Sequence, residues 1–176
     1  MSIDPKLEEK LRAMVDRDDI RQVILRYCRG MDRLDLDLIR SCYFDDAIDD
    51  HGRFVGKAED FIQWATTATG HFPMQQHAVL NHVCDLDGDD AYTETYYICS
   101  NINSAPPHIL SLGRYIDHFQ RREGEWRIAN RVALIERNLE MSDSPVAPAA
   151  VSGYSVARDR TDVSYQTPVR PLTPGQ

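Results

Sequence analysis

Residues 75–101 read QQHAVLNHVCDLDGDDAYTETYYICSN, and this stretch decides the fold class. Polar and apolar residues alternate with a period of two on both sides of DGDD. This pattern predicts two strands, 75–86 and 91–103, joined by a tight hairpin turn. Two further alternating stretches, 109–120 and 126–138, predict two more strands of the same antiparallel sheet.

The stretches before residue 73 are apolar at helical spacing instead. The predicted helices cover residues 4–15, 16–31, 35–44 and 57–69. Asp16 or Asp18 is expected to cap the second of these helices. Residues 45–55 are predicted to form a turn, a short strand and a turn. Helices followed by a run of antiparallel strands make an α+β protein.

The composition of the chain argues against several classes of partner. Its 176 residues suit one domain, and its net charge of −8 argues against nucleic acid, because phosphate binding needs a basic surface. No apolar run approaches the roughly 18 residues that span a bilayer, and the first residues lack a signal-peptide pattern. The four cysteines follow apolar patterns without a CxxC pair, which indicates reduced core thiols in a cytoplasmic protein.

Asp32 ends a predicted helix that has one apolar face. The apolar positions of that face are Ile20, Val23, Ile24, Tyr27, Cys28 and Met31. A carboxylate at the border of such a face is either held against an apolar pocket, where it can take part in chemistry, or solvated at the helix end. Solvation, or pairing with Arg29 or Arg33, is the simpler interpretation of the residue alone.

His77 lies near the start of the first predicted strand. If the chain turns at the centre of DGDD, His77 pairs with Ser100 and Asn81 pairs with Tyr96. A face that carries these residues suits a pocket wall, which is mostly apolar with a few polar groups. Asn81 and Tyr96 are therefore candidate substrate-binding residues. A solvated sheet face, or a buried core histidine, is the alternative.

Asp32 and His77 together would support acid–base chemistry if they meet in space. A carboxylate that binds one imidazole nitrogen fixes the tautomer and favours proton uptake at the other nitrogen. Such a pair permits elimination or isomerisation without a metal or a cofactor. Arg131 on the last strand and Tyr27, one turn before Asp32, are candidate anchors for substrate. An ion pair and a plain core position are their respective alternatives.

Recognisable metal and cofactor motifs are missing from the sequence. His77 and His82 are predicted to point to opposite faces of one strand, and the neighbours Asp49, Asp50 and His51 lack the spacing of a ligand set. There is no nucleophile elbow, phosphate loop or dinucleotide fingerprint. We therefore expect neither a metal nor a cofactor.

Six short motifs occur in the order of a known family. They are YCRGMD at 27–32, LIRSCYFDDA at 38–47, HAVLN at 77–81, GDDA at 88–91, GRYIDHF at 113–119 and GEWRIA at 124–129. In this order they resemble the SnoaL-like branch of the nuclear transport factor 2-like superfamily. The resemblance implies a cystatin-like α+β barrel, in which N-terminal helices close a conical pocket formed by a strongly curved antiparallel sheet.

The resemblance also implies roles for particular residues. Relatives include dehydratases, a dehydrochlorinase, ketosteroid isomerase and polyketide cyclases. In the dehydratase and dehydrochlorinase group an Asp–His dyad transfers the proton, and by motif position these roles fall on Asp32 and His77. Arg131 and Tyr27 correspond, more loosely, to residues that contact substrate in some relatives.

The chain is expected to divide into a SnoaL-like α+β barrel domain, residues 1–140, and a C-terminal arm, residues 141–176. The arm is rich in proline, yet it keeps valines and tyrosines that are scarce in disordered tails. We therefore expect the arm to pack on its own subunit or on a neighbouring one.

The expected function is that of a cofactor-independent lyase or isomerase that acts on a small hydrophobic cyclic molecule. A homodimer or a homotrimer is expected. The alternatives are a non-catalytic small-molecule-binding module and the small subunit of an oxygenase-type assembly. The separation of the Asp32 and His77 side chains discriminates between them, because only a hydrogen-bonded pair inside a pocket supports catalysis.

Overall fold

The structure, a computed structural model, describes residues 3–144 and 156–169. Its elements in chain order are α1 (Pro5–Arg33), α2 (Leu36–Arg40), β1 (Tyr43–Asp50), β2 (Val55–Lys57), α3 (Ala58–Thr69), β3 (Met74–Asp87), β4 (Asp90–Ile102), β5 (His108–Arg122), β6 (Glu125–Met141) and a short 3₁₀ helix (Val163–Tyr165). The predicted α+β class is confirmed.

A single curled sheet of six strands, in the order β2-β1-β6-β5-β4-β3, holds the core against the helices. All neighbouring strands are antiparallel except β1 and β6, which run parallel. The core combines the apolar face of α1 with α3 and the inner faces of the strands. Among the described residues, no helix has both the length and the apolar composition that a membrane crossing requires.

The predicted break near residue 16 is wrong, because α1 runs without interruption from Pro5 to Arg33. The carboxylate of Asp16 does not cap a new helix. It accepts hydrogen bonds from Trp126 Nε1 at 2.9 Å and from Arg121 Nη1 at 2.8 Å. A tertiary contact with the β5–β6 hairpin therefore uses the side chain that the sequence offered as a cap.

The predicted third helix, 35–44, was too long. The helix α2 ends at Arg40, and β1 begins at Tyr43. The backbone N–H of Ile128 on β6 donates to the carbonyl oxygen of Cys42 at 2.9 Å. This bond draws the chain into the sheet one turn earlier than its helical pattern indicated.

The β3–β4 hairpin has the predicted turn but not the predicted register. Near the turn, Asp87 pairs with Asp90 and His82 with Thr95, but beyond a β-bulge Val79 pairs with Tyr97. The bulge places Leu80 and Asn81 against a single position of β4. From there onward each β3 residue pairs one position away from the prediction.

The C-terminal segment 156–169 packs on its own chain, over the ends of α1 and α3. Arg158 holds it there by donating to the carbonyl oxygens of Met31, Asp32, Thr69 and Phe72 and to the side chain of Gln75, at distances of 2.7–3.1 Å. Carbonyls at helix ends lack partners within the helix, so one guanidinium satisfies both ends. The rest of the predicted arm, 145–155 and 170–176, lies outside the described residues.

Candidate active site

Asp32 and His77 form a hydrogen-bonded pair. Asp32 lies in the last turn of α1, and His77 lies near the start of β3. His77 Nδ1 lies 2.6 Å from Asp32 Oδ1, and the backbone N–H of His77 donates to Asp32 Oδ2 at 3.0 Å. The His77 side chain is 6% exposed, and the Asp32 side chain is 13% exposed. Both carboxylate oxygens therefore hold one histidine, which fixes its ring and its tautomer.

The surroundings of His77 shift its pKa upward. Burial by itself lowers the pKa, because it disfavours the charged ring. The hydrogen bond that His77 donates to Asp32, and then the neighbouring thiol of Cys99, act in the opposite direction and raise the pKa from 6.5 to about 9. Cys99 pairs directly with His77 across β3 and β4. The imidazole is consequently a stronger base than a free histidine.

His77 lines a cavity of about 220 Å³ between the sheet, α1 and α3, which is partly open to solvent. The other lining residues are Tyr27, Met31, His51, Arg53, Phe61, Trp64, Ala65, Ala68, Thr69, Gln75, Tyr97, Cys99, Asn101, Ser111, Tyr115 and Ile135. Most of this wall is apolar or aromatic, with a small number of polar groups, as is usual for sites that bind small molecules. Asp32 contacts His77 from an outer groove that also contains Ser164.

Two stacked tyrosines form the sheet side of the cavity. The rings of Tyr97 and Tyr115 lie 4.3 Å apart and nearly parallel. Gly113 makes room for them, because a Cβ atom there would lie 2.2 Å from the Leu134 carbonyl oxygen and 2.6 Å from the Tyr97 ring. Any larger residue at position 113 would therefore displace the Tyr97 ring from the cavity wall.

Asn81 and Tyr96 do not lie where the sequence placed them. The bulge leaves Asn81 exposed, and Tyr96 is 38% exposed with its ring 5.7 Å from the Arg114 guanidinium. Neither residue lines the cavity. Tyr97, Cys99 and Asn101 line the cavity instead, because the bulge in β3 turns His77 to the face that carries the odd-numbered residues of β4.

Arg131 faces the inside of the protein, but it does not line the cavity. Its guanidinium binds both oxygens of Asp117 at 2.7 Å, and both side chains are completely buried. It also lies between the rings of Tyr27 and Tyr115, with its Cζ 4.2 and 4.1 Å from their centroids. The ion-pair alternative therefore describes the position of Arg131, and the anchor prediction does not.

Tyr27 lines the cavity. Its ring makes edge contacts with Tyr43 and Tyr115. Burial raises the pKa of Tyr27 well above its ordinary value, so the hydroxyl stays protonated at neutral pH and can donate a hydrogen bond.

His51 also lines the cavity, a position that the sequence did not predict. It was considered only as part of a metal site, but no group of His, Cys, Asp or Glu within residues 3–144 and 156–169 can hold a metal ion. The missed signal was its spacing from Asp49, because residues two apart on a strand share a face. Gln75, Tyr97 and Asn101 were also missed, since their orientation depends on the bulge or on the exact strand register.

A larger depression, of about 400 Å³, lies elsewhere, between α1 and the β5–β6 turn. It is lined by polar and charged side chains such as Asp19, Gln22, Arg26 and Arg127. It contains no histidine and no aligned acid–base pair. The cavity at His77 is therefore the better candidate for chemistry.

Comparison with protein families gives a single assignment. The family model described as "SnoaL-like domain" matches residues 12–132, which include Asp32 and His77. The chain belongs to the SnoaL-like family. The predicted resemblance to this branch of the nuclear transport factor 2-like superfamily is thereby confirmed. A comparison with curated protein sequences finds no match.

Solved structures resemble this SnoaL-like protein in fold at low sequence identity. The hexachlorocyclohexane dehydrochlorinase LinA-type3 from Novosphingobium barchaimii is 17% identical, with a TM-score of 0.69, and the match covers 80% of this chain and 99% of that one. A candidate scytalone dehydratase from Novosphingobium aromaticivorans is 14% identical, with a TM-score of 0.67 and coverages of 78% and 97%. A cystatin-like protein of unknown function from Nostoc punctiforme is 18% identical, with a TM-score of 0.60 and coverages of 69% and 92%. The predicted cystatin-like architecture is confirmed.

Proposed function

We propose that this SnoaL-like protein is a cofactor-independent lyase or isomerase for a small hydrophobic cyclic molecule. His77 is the general base, and Asp32 orients it. The observation that carries the proposal is the 2.6 Å contact between Asp32 Oδ1 and His77 Nδ1 in the wall of an apolar cavity. With Nδ1 engaged, Nε2 is the nitrogen that can accept a proton from substrate.

The proposed reaction begins with removal of a proton from a carbon atom next to a carbonyl group. The two electrons of the C–H bond form a new double bond. In an elimination the leaving group departs with its own electron pair, whereas in an isomerisation His77 returns the proton to another carbon. Tyr27, Gln75 and Asn101 are the proposed polar contacts, because they line the same cavity.

Proton abstraction can be tested without knowing the natural substrate. Cyclic ketones with a β-hydroxyl, a β-chloro or a β,γ-unsaturated group are incubated with the protein in D₂O. We expect exchange of the α-proton, measured by proton NMR, and formation of a conjugated enone, measured by ultraviolet absorbance. Imidazole buffer of equal concentration is the control. Binding of these ketones without exchange above that control would contradict the proposal.

The pH dependence of the reaction follows from the pKa of His77. A base must be neutral, and a pKa raised to about 9 leaves most of the imidazole protonated at pH 7. We expect kcat/KM for α-proton exchange, which needs the base alone, to rise about tenfold per pH unit and to level off near pH 9. Asp32→Asn removes a group that raises this pKa, so its plateau should begin at lower pH. A rate that falls as pH rises through 9 would instead identify His77 as an acid.

A second candidate function, non-catalytic binding, is favoured by the same raised pKa. A protonated His77 places a positive charge in an apolar cavity, where it would hold the carboxylate of a cyclic acid. Calorimetry with cyclic carboxylates, combined with the exchange assay, separates the two functions. Tight binding of the acids with no exchange of the ketones favours the binding module.

Two further expectations accompany the proposal. We propose a cytoplasmic location, which is supported by four free cysteines that are all buried. We also propose a homodimer or a homotrimer. The exposed apolar side chains on the strands, such as Val83, Tyr92 and Val132, support an interface between subunits.

A further inference from the structure

A second Asp–His pair faces the same cavity as His77. Asp49 lies near the end of β1, and His51 follows two residues later on the same side of the chain. Asp49 Oδ1 is hydrogen-bonded to His51 Nδ1, and Asp49 Oδ2 accepts a hydrogen bond from the Tyr43 hydroxyl at 2.7 Å. The Asp49 side chain is fully buried, whereas that of His51 is 17% exposed. The pair thus repeats the arrangement of Asp32 and His77.

The ring of His51 is held in one orientation. It stacks on Phe61 with 4.2 Å between the ring centroids, and its backbone N–H donates to the carbonyl oxygen of Phe54 at 2.8 Å. Within residues 3–144 and 156–169, Asp49 is the only hydrogen-bond partner of the His51 ring, at Nδ1. Nε2 is consequently left for a molecule in the cavity.

The buried ion pair of Arg131 and Asp117 is connected to Asp49 through the hydroxyl group of Tyr43. Arg131 Nη1 lies 3.5 Å from the Tyr43 hydroxyl, which donates to Asp49. Asp49 therefore has a fixed position and a positive charge nearby. A rigid carboxylate of this kind orients the histidine that it binds, as Asp32 does for His77.

Two tyrosine rings separate the two histidines. The centroid of His51 lies 6.5 Å from that of Tyr115, Tyr115 lies 4.3 Å from Tyr97, and Tyr97 lies 6.1 Å from His77. One molecule stacked along these tyrosines would therefore have an imidazole near each end. Because both imidazoles line one cavity, a molecule bound there can lose a proton to one histidine and receive a proton from the other.

We propose that His51, oriented by Asp49, is a second acid–base residue, which donates a proton to the leaving oxygen of a cyclic β-hydroxy carbonyl compound. This inference rests on the proposed function of His77. His77 takes the α-proton, the C–H electrons form the C=C bond, and the C–O electrons move to oxygen. Protonated His51 then gives its Nε2 proton to that oxygen, and water leaves. Neutral His51 and protonated His77 remain, and proton exchange with water restores both.

The role of His51 predicts a difference between two leaving groups. Hydroxide leaves readily only when it is protonated, whereas chloride leaves without a proton. His51→Gln should therefore slow elimination from 3-hydroxycyclohexanone by about 10²- to 10⁴-fold. Elimination from 3-chlorocyclohexanone should change by less than about threefold. Enone absorbance measures both reactions, and the chloride reaction of the same variant reports that the fold and His77 are intact.

Other outcomes of this experiment separate the two claims. Equal losses with both leaving groups, or an unchanged hydroxide reaction, overturn the role of His51. If His77→Gln keeps both reactions, the proposed function is overturned instead. If the wild-type protein is inactive on both ketones, both claims are overturned. If His51→Gln does not fold, the wild-type hydroxide-to-chloride rate ratio is compared with that of imidazole buffer. A ratio less than about tenfold above buffer also overturns the role of His51.

Discussion

Replacing His77 with glutamine is expected to lower kcat by about 10²- to 10⁴-fold, the usual contribution of a general base. Glutamine retains a polar side chain of similar reach, but it cannot take up a proton from carbon. His77 is 6% exposed and bound to Asp32, so its ring is held in one orientation. Glutamine at this position would not reproduce that contact geometry. The assay is α-proton exchange or elimination under saturating substrate, with circular dichroism to confirm folding.

Asp32→Asn should lower kcat by a similar factor. The double variant should have a kcat no lower than that of the less active single variant. Residues that act as one unit are not additive when they are removed together. Additive losses would mean that the two residues do not form one dyad.

The chain contains a matched control for both variants. His118 Nε2 lies 2.6 Å from Asp90 Oδ1, but these side chains are 27% and 40% exposed and do not line the cavity. His118→Gln and Asp90→Asn should leave turnover within about twofold of the wild type. If they lower it as much as the dyad variants do, loss of an Asp–His pair disturbs the fold rather than the chemistry.

Replacing Arg131 with methionine is expected to destabilise the protein by about 3–5 kcal/mol, because it leaves the carboxylate of Asp117 buried without a partner. The two side chains are completely buried and share two hydrogen bonds of 2.7 Å. Urea unfolding, followed by tryptophan fluorescence, measures the free energy of unfolding. An Arg131 that anchored substrate would instead raise KM while leaving the stability nearly unchanged.

The partner residue provides the test of this explanation. The double variant Arg131→Met/Asp117→Leu should recover most of the lost stability, since a buried ion pair is often replaced by apolar side chains at little cost. Arg127→Met on the same strand removes an exposed pair with Glu125 and should change stability by less than about 1 kcal/mol. A double variant as unstable as Arg131→Met would show that packing around the tyrosines, rather than the unpaired charge, dominates.

The period of the hydrophobic pattern was sufficient to predict the type and order of the long elements, apart from the break that it placed near residue 16. Long segments with one period, such as 75–86 and 57–69, carry the signal on many residues, so no single exception changes the assignment. The turn between Asp87 and Asp90 was predictable because DGDD permits few other conformations. The pairing of Asp32 with His77 came from the order of the family motifs, which contains information about three-dimensional proximity that spacing along the chain lacks.

Tertiary contacts decided between conformations that the local sequence pattern allowed equally well. A bulge adds one residue to one strand, and near residues 79–83 apolar side chains occur on both faces, so the pattern was compatible with either register. Asp16 could have capped a helix, but Trp126 and Arg121 bind its carboxylate instead. In each case the deciding partner is distant in sequence, and no local preference is strong enough to outweigh it.

The sequence alone therefore determined an α+β protein of the SnoaL-like family with Asp32 and His77 as its acid–base candidates. The tertiary structure decided which side chains share a cavity with His77. It turned Asn81 and Tyr96 outward, enclosed Arg131 in an ion pair and brought His51 into the site. The physical reason is that orientation depends on register and packing to within one residue, whereas the hydrophobic pattern specifies only which elements form.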